Sequence, residues 1–525
     1  MKGLRWDAEA DVVVVGFGGA GASAAIEAAD QGADVFVLDR FSGGGATQES
    51  GGVVYAGGGT PQQRQAGMDD SPEAMFAYLQ KETAGVVSDA VLRRFCDESA
   101  AHLAWLESLG VSFDGSLSPF KTSYPTNDYF LYYSGNEQFP PYSDAAEPAP
   151  RGHRAVADGL DSGKKLFGAL ARGVHERGIR LRTQARAQRL LIEEGRVIGV
   201  EYAALPPGRA ARVHKAASAR LAKLNNYFPP GAAPLNRLVE RLEARHAKTY
   251  RVKARKGVIV AAGGFVYNGQ MLAEHAPAYR EGQPLGTIGD DGSGIRLGIE
   301  AGGATGHLDR VSVWRFYTPP ASLARGVLVN REGERICNEL LYGATIGSEI
   351  VTSHNGHAYL VIDKALVDTA WKEMRSQTVF FQRAQMSYLL TIGHKKARTI
   401  EALARRTGID PAGLRATIET YNSLGTDPLG KPEAYLHQLG QGSYYAFDVS
   451  LRSPLFFPSP MITLGGLTVH DDTGNVLTEG GAPIEGLYAA GRSAVGVASH
   501  SYVSGLSIAD CVFSGRRAGA AAAAA

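Results

Sequence analysis

Cysteine is nearly absent from this sequence: Cys96, Cys337 and Cys511 are the only three in 525 residues, widely separated and without CxxC spacing. Their number and placement exclude a disulfide framework and a cysteine-built metal site, and no metal is expected. A strong charge of either sign is missing too, since 54 Lys and Arg face 53 Asp and Glu and leave a net charge of +1. Such a balance gives no general grip on nucleic acid. No segment offers about 18 uninterrupted apolar residues, the length a membrane-crossing helix needs, so a cytoplasmic, soluble protein is expected. Glycine, by contrast, is plentiful at 65 residues. It shows no Gly-X-Y period, so the excess points to tight turns and close backbone approach to a large ligand. The length fits about two or three domains of ordinary size, and two are expected.

The first informative run is Val12-Val13-Val14-Val15, four β-branched residues such as a buried parallel strand needs. It ends in Gly16-Phe17-Gly18-Gly19-Ala20-Gly21, and an alanine-rich helical stretch follows. In a strand–GxGxxG–helix unit Gly16 permits the tight turn, Gly18 lets the backbone approach a pyrophosphate, and Gly21 lets helix and strand lie close. The N–H groups at the helix start, from Gly19 and Ala20 onward, then face the phosphates. A second strand, Ala33 to Leu38, delivers Asp39 at the distance where an acid accepts hydrogen bonds from an adenosine ribose. An α/β, Rossmann-like dinucleotide-binding domain is therefore expected.

Beyond this unit the chain resembles the flavoprotein superfamily of fumarate reductases, succinate dehydrogenase flavoprotein subunits and ketosteroid dehydrogenases. After Asp39-Arg40, the run Gly44-Gly45-Ala46-Thr47-Gln48-Glu49-Ser50-Gly51-Gly52 is similar to the loop that crosses the FAD pyrophosphate and flavin in that family. It has no histidine for covalent attachment, so the resemblance implies noncovalent FAD. Leu181–Val200 resembles the strand–turn–strand that holds the adenosine near Ala185. Val258–Gly264, with Ala262 and Gly263, resembles the family's VVLATGG strand, and Asp290-Asp291-Gly292 its GDG turn. Gly486–Gly491 and Ser504–Asp510 resemble the C-terminal segments, which implies cofactor contacts from Gly491, Arg492, Leu506, Ser507 and Ile508. In that family the closing helix points its N-terminus at the flavin, where the helix dipole favours negative charge. The implied architecture is a discontinuous FAD domain, 1–311 and 446–525, with a smaller α+β capping domain at 312–445. No second GxGxxG appears, which disfavours a separate NAD domain.

The departures from the fumarate reductases narrow the reaction. Their proton-donating arginine after RFxNE is replaced here by Arg335–Glu339 leading to Leu340-Leu341-Tyr342-Gly343. Their carboxylate-clamping arginine aligns with Tyr502, and the histidine of their HTMGG aligns with Ile462. No charge complement for a dicarboxylate is left at these positions, so a neutral, apolar substrate is expected. Tyr342 in NExxYG and Tyr502 in SYxSG resemble the 3-ketosteroid Δ4-dehydrogenases, which remove a proton from C4 and a hydride from C5 of a saturated 3-ketosteroid. The resemblance extends to the Tyr-rich stretch 129–137 and to Ala149–His153, expected near the substrate. The Tyr502 hydroxyl and the Gly505 N–H are expected to hold the C3 carbonyl oxygen, with Ser504 and Tyr342 as the proton-accepting relay. Alternatives are a Δ1-ketosteroid dehydrogenase, a reductase of enones or unsaturated acids, and an electron-transfer flavoprotein module; the electron acceptor is not legible.

Three further expectations concern the periphery. An insert at 205–256 carries, from Arg209 to Lys256, 13 Lys and Arg against the two acids Glu240 and Glu243. It reads as a solvated helical hairpin on the rim with a loop at Asn225–Gly231, or as a peripheral contact for an anionic membrane surface. His153, His307, His470 and His500 read as structural. The alanine-rich tail after Gly519 reads as disordered.

Overall fold

In the computed structural model, which describes residues 5–227, 229–452 and 456–525, the valine run forms β1 (Ala8–Val15), followed by α1 (Gly19–Asp30) and β2 (Val35–Leu38). β1 lies between β2 and the long strand Lys248–Val260, parallel to both. The sheet extends through Arg180–Arg182 beyond β2 and through Pro483–Ala489 beyond the long strand, all parallel. Val12, Val13 and Val14 are fully buried, as a strand covered on both faces demands.

The predicted strand–turn–strand forms Ala185–Glu193 and Arg196–Ala204, antiparallel around Glu194-Gly195, whose φ angles of 51° and 83° belong to a tight hairpin turn. Its second strand pairs in turn with Lys248–Val260. Between them the insert rises as two helices, Arg209–Tyr227 and Pro229–His246. Of the expected loop at Asn225–Gly231, residues 225–227 and 229–231 are helical, and Phe228 lies outside the described residues. Tertiary contacts hold the last turn of the first helix: the Asn226 carbonyl accepts from Gln283 Nε2 at 2.8 Å and its Oδ1 from the Gly286 N–H at 3.2 Å.

The C-terminal tail is ordered helix, contrary to expectation. Leu506–Ala524 forms one helix, and Ala518, Ala522 and Ala523 are buried. Alanine is the strongest helix former, and the small residues let this helix lie directly on α1. A Cβ on Gly515 would meet the Ala20 carbonyl oxygen at 2.5 Å, and one on Gly519 that of Ala24 at 2.4 Å.

A second hydrophobic core, drawn from Tyr317 to Phe457, surrounds a four-stranded antiparallel sheet in the order Val327–Val329, Tyr359–Asp363, Tyr444–Asp448, His394–Ala397. The expected boundary at 445/446 falls inside one of these strands, and the chain leaves the sheet only after Asp448. Where the two cores meet, Val311–Val313 and Gln283–Pro284 pair with Pro460–Thr463. No described helix is long and apolar enough to cross a membrane.

Candidate active site

A cavity of about 510 Å³ runs from the glycine fingerprint to Leu285, Trp314 and Ile462, within the range of small-molecule sites. Its floor shows why the fingerprint is glycine. Gly16 has φ +108° and a Cβ there would sit 2.4 Å from the Ala261 carbonyl, while one on Gly21 would sit 1.9 Å from the Gly16 oxygen. The first allows the turn and the second the close helix–strand approach, and both open the N-terminus of α1 to the cavity. On the opposite wall Gly45 comes close to Gly18, and Thr47 Oγ1 accepts from the Gly19 N–H at 3.1 Å. Asp39 ends β2 with its carboxylate accepting from the N–H groups of Phe17, Phe41 and Gly43 at 2.9, 2.7 and 3.1 Å. Burial raises its pKa, and those three bonds work against that rise.

Most of the expected cofactor residues line this cavity: Gly16, Gly18, Gly19, Ala20, Asp39, Arg40, Gly45, Ala46, Thr47, Ser50, Ala185, Ala262, Gly263, Arg492, Ser507 and Ile508. Gly21, Gly51, Gly52, Asp291, Gly491 and Leu506 stand behind the wall. The reasons are visible for two: a Cβ on Gly51 would strike the Tyr124 ring, and one on Gly52 the backbone of Ser162. Of the two aspartates in the GDG-like turn, Asp290 is the one on the wall, whereas Asp291 reaches Arg40 and Arg186 at 3.1 and 2.9 Å. Asp290 Oδ1 in turn pairs with Arg492 Nη2 at 2.7 Å, which accounts for the arginine after Gly491: its charge is balanced by a buried carboxylate. Arg492 Nη1 is buried without a hydrogen-bond partner among the described residues. An unpaired guanidinium N–H, a helix N-terminus and a glycine cradle are what an FAD pyrophosphate and ribityl chain would use, so the residues present fit the cofactor. Sequence reasoning missed Phe17, Phe41, Leu285, Ile288, Trp314 and the insert's Ser218, Ala219 and Leu221, all on the wall.

At the cap end the wall turns aromatic and apolar, with Leu285, Trp314, Ile462 and Tyr502. Trp314 packs on Tyr502 at 5.2 Å and Phe316 on Tyr342 at 5.4 Å between ring centres. Ser504 lies in a hydroxyl cluster: Tyr132 Oη donates to its Oγ at 2.8 Å, and Ser504 also works against the rise that burial gives the Tyr342 phenol. Its backbone is fixed on both sides, the N–H donating to the Ser134 carbonyl at 3.0 Å and the carbonyl accepting from Ser134 Oγ at 3.1 Å. Gly505 has φ +91°, and a Cβ there would lie 2.6 Å from the N of Tyr55 in β3 (Val53–Tyr55), so only glycine fits. The Tyr502 hydroxyl meets the Gly505 backbone, and burial pushes its pKa up to about 12 while that contact and Arg492 work the other way. Burial also pushes Tyr342 and Tyr132 upward, so all three phenols are protonated donors near neutral pH.

The structure therefore brings Tyr342, Tyr502, Ser504 and Gly505 together and adds Tyr132, which comes from the Tyr-rich stretch expected near the substrate. Arg151 from the neighbouring stretch forms a buried ion pair with Asp70 at 2.7 Å instead. His153 is buried between Thr60 and the Arg151 carbonyl. Among the described residues no group of side chains could hold a metal ion.

The sequence signature of the FAD binding domain family matches residues 11–508. A 3-oxo-5-alpha-steroid 4-dehydrogenase of Comamonas testosteroni is 40% identical over 510 residues, covering 93% of each chain. A probable fumarate reductase of Shewanella frigidimarina is 27% identical, over 97% of this chain and 74% of its own. Among solved structures, a 3-ketosteroid-Δ4-(5α)-dehydrogenase from Rhodococcus jostii in complex with 4-androstene-3,17-dione superimposes with a TM-score of 0.84 at 33% identity, covering 99% of this chain and 98% of that one. The chain therefore belongs to the FAD binding domain family, and it is an FAD-dependent oxidoreductase.

Proposed function

We propose that the protein desaturates a 3-ketosteroid between C4 and C5, giving a 3-keto-4-ene product, and that the ring fusion it accepts is 5α, as the names of its relatives state for those enzymes. The observation that carries this reading is Ser504 Oγ bonded to the Tyr132 hydroxyl, with the buried phenol of Tyr342 beside it, behind Tyr502 on the apolar wall of the cavity. FAD, when bound, supplies the hydride acceptor for the hydrogen leaving C5. In this reading the Tyr502 hydroxyl and the Gly505 N–H beside it polarise the C3 carbonyl and acidify the C4 hydrogens. Ser504 Oγ takes the C4 proton as its own passes to the Tyr342 oxygen and the Tyr342 phenol proton passes on to water, so that the relay ends neutral; neither hydroxyl alone is a competent base at neutral pH. Leu285, Trp314 and Ile462 exclude water and offer the steroid an apolar wall. The FAD domain is proposed as the two sequence pieces flanking the cap, with the substrate at their junction.

The test is turnover of a C5-deuterated saturated 3-ketosteroid with an artificial electron acceptor. A 4-ene product lacking the deuterium, formed with a primary isotope effect, is expected. A 1-ene product, or reduction of fumarate-like acids in place of steroid oxidation, would displace this reading. The outward-facing Arg212, Lys215, Arg220, Arg237, Arg241 and Arg245 of the insert suit an anionic lipid surface that concentrates such a substrate. Co-sedimentation with anionic but not neutral vesicles would support that contact.

A further inference from the structure

The basic insert is not a bystander on the rim. It springs from paired neighbours in the sheet, because Ala204 and Lys248 face each other in the antiparallel ladder, and a three-residue loop could have joined them. The two helices that stand there instead are amphipathic: Ala211, His214, Ala217 and Leu221 are buried at spacings of three and four, which is one face of a helix. That face is turned onto the nucleotide cavity. Ser218, Ala219 and Leu221 form part of the same wall as Asp39 and Ala185, at the end where the fingerprint and the family resemblance place the adenosine. Phe41 and Ile288, themselves on the wall, pack against the hairpin's small apolar core, and Phe41 stacks on His214 with ring centres 6.0 Å apart.

The contact is fastened by a charge cluster that uses one of the insert's two acids. Glu243 accepts from Arg40 Nε and Nη2 at 3.0 and 2.9 Å and from His214 Nε2 at 3.1 Å. Arg40 continues to Asp291, which also holds Arg186. Gln184, beside the adenosine-side Ala185, donates to His214 Nδ1 at 2.9 Å. Burial opposes ionisation of Glu243, yet the bonds from His214 and Arg40 outweigh it and hold the carboxyl at about 2, so Glu243 is ionised at neutral pH.

We propose that the 209–246 hairpin is a clasp over the adenosine half of FAD, latched through Glu243, and that release of the noncovalent cofactor requires the clasp to open. A nucleotide fixed only by backbone contacts at one side of its adenosine gains a second side and loses its solvent exit. The clasp serves the cofactor, and it is independent of which substrate the enzyme oxidises.

The test compares FAD with FMN, which lacks the adenosine. The rate of FAD release is followed from holoenzyme by the rise of free-flavin fluorescence after dilution, for the wild type, for Glu243→Gln, and for a protein in which 206–247 is replaced by Asn-Gly. Affinity for each flavin is measured by titrating the flavin-stripped full chain. Release of FAD is expected to quicken about tenfold in Glu243→Gln, the loss of one charged hydrogen-bond set, and further in the deletion, with FMN affinity unchanged in both. Unchanged FAD release in both variants would overturn the clasp, and so would equal weakening of FAD and FMN, which marks general damage to the fold. Should the deletion not fold, Glu243→Gln decides on the same two readouts.

Discussion

A serine hydroxyl accepts a carbon-bound proton only if its own proton has somewhere to go, and with Tyr132 donating to Ser504 Oγ that condition singles out Tyr342. Tyr342→Phe removes that exit and is expected to lower kcat on a saturated 3-ketosteroid about 10²–10⁴-fold while the flavin spectrum and FAD content stay normal. Full turnover in that variant would remove Tyr342 from the relay. Tyr132→Phe removes the hydroxyl that donates to Ser504 Oγ, and in the same assay a loss smaller than that of Tyr342→Phe is expected, because the exit through Tyr342 remains. Tyr342, Tyr502, Ser504 and Gly505 were legible in the sequence because each sits inside a compact motif whose departures from the fumarate reductase pattern are chemical. Tyr132 was visible only as one of several tyrosines in a loop, since its partner lies 372 positions away. Asp290 and Asp291 are adjacent and identical in type, so only the turn geometry could say which of them faces the cavity.

At the scale of elements, two small-residue devices carry the site. The closing helix brings Ser507 and Ile508 to the cavity wall because it lies directly on α1. Gly519→Leu drives a side chain into the Ala24 carbonyl and is expected to cost about 1–3 kcal/mol, read as a lower urea midpoint with unchanged slope. An unaltered midpoint would mean that the helices do not pack as described. The alanine composition that made this segment read as a disordered tail is what lets it pack so closely, and that distinction depends on a partner helix some 490 residues upstream. The second device is the three-stranded sheet of β3, Gly152–Arg154 and Leu131–Tyr132, which backs Gly505 and positions Tyr132. Its centre holds His153, fully buried, and burial pushes its pKa down to about 4. The folded protein keeps this imidazole neutral while the unfolded chain takes up a proton near pH 6.5. The stability it contributes is therefore complete above about pH 6.5 and is lost as pH falls toward 4, by up to about 3 kcal/mol. Urea midpoints measured across that interval should fall less steeply in His153→Gln than in the wild type, and identical slopes would contradict the assignment.

At the scale of the molecule, the cavity has two ends with different chemistry, a hydrogen-bonding end built by the glycine fingerprint and an apolar end built by Leu285, Trp314, Ile462 and Tyr502. The first was legible from residue spacing because pyrophosphate binding by backbone N–H groups leaves a glycine signature. The apolar end was legible only through what was missing, the cations of a dicarboxylate site. The insert's place over the cavity was not legible at all, since a basic amphipathic hairpin has the same composition wherever it docks. The central claim, that a saturated 3-ketosteroid is oxidised at this apolar end, is tested most directly by mixing the yellow holoenzyme anaerobically with 5α-androstane-3,17-dione in a stopped-flow instrument and following the flavin absorbance. Rapid bleaching with one equivalent of 4-androstene-3,17-dione per flavin is the predicted result. A flavin that stays oxidised with 5α and 5β substrates alike, yet is reoxidised by fumarate-like acids after chemical reduction, would contradict the account.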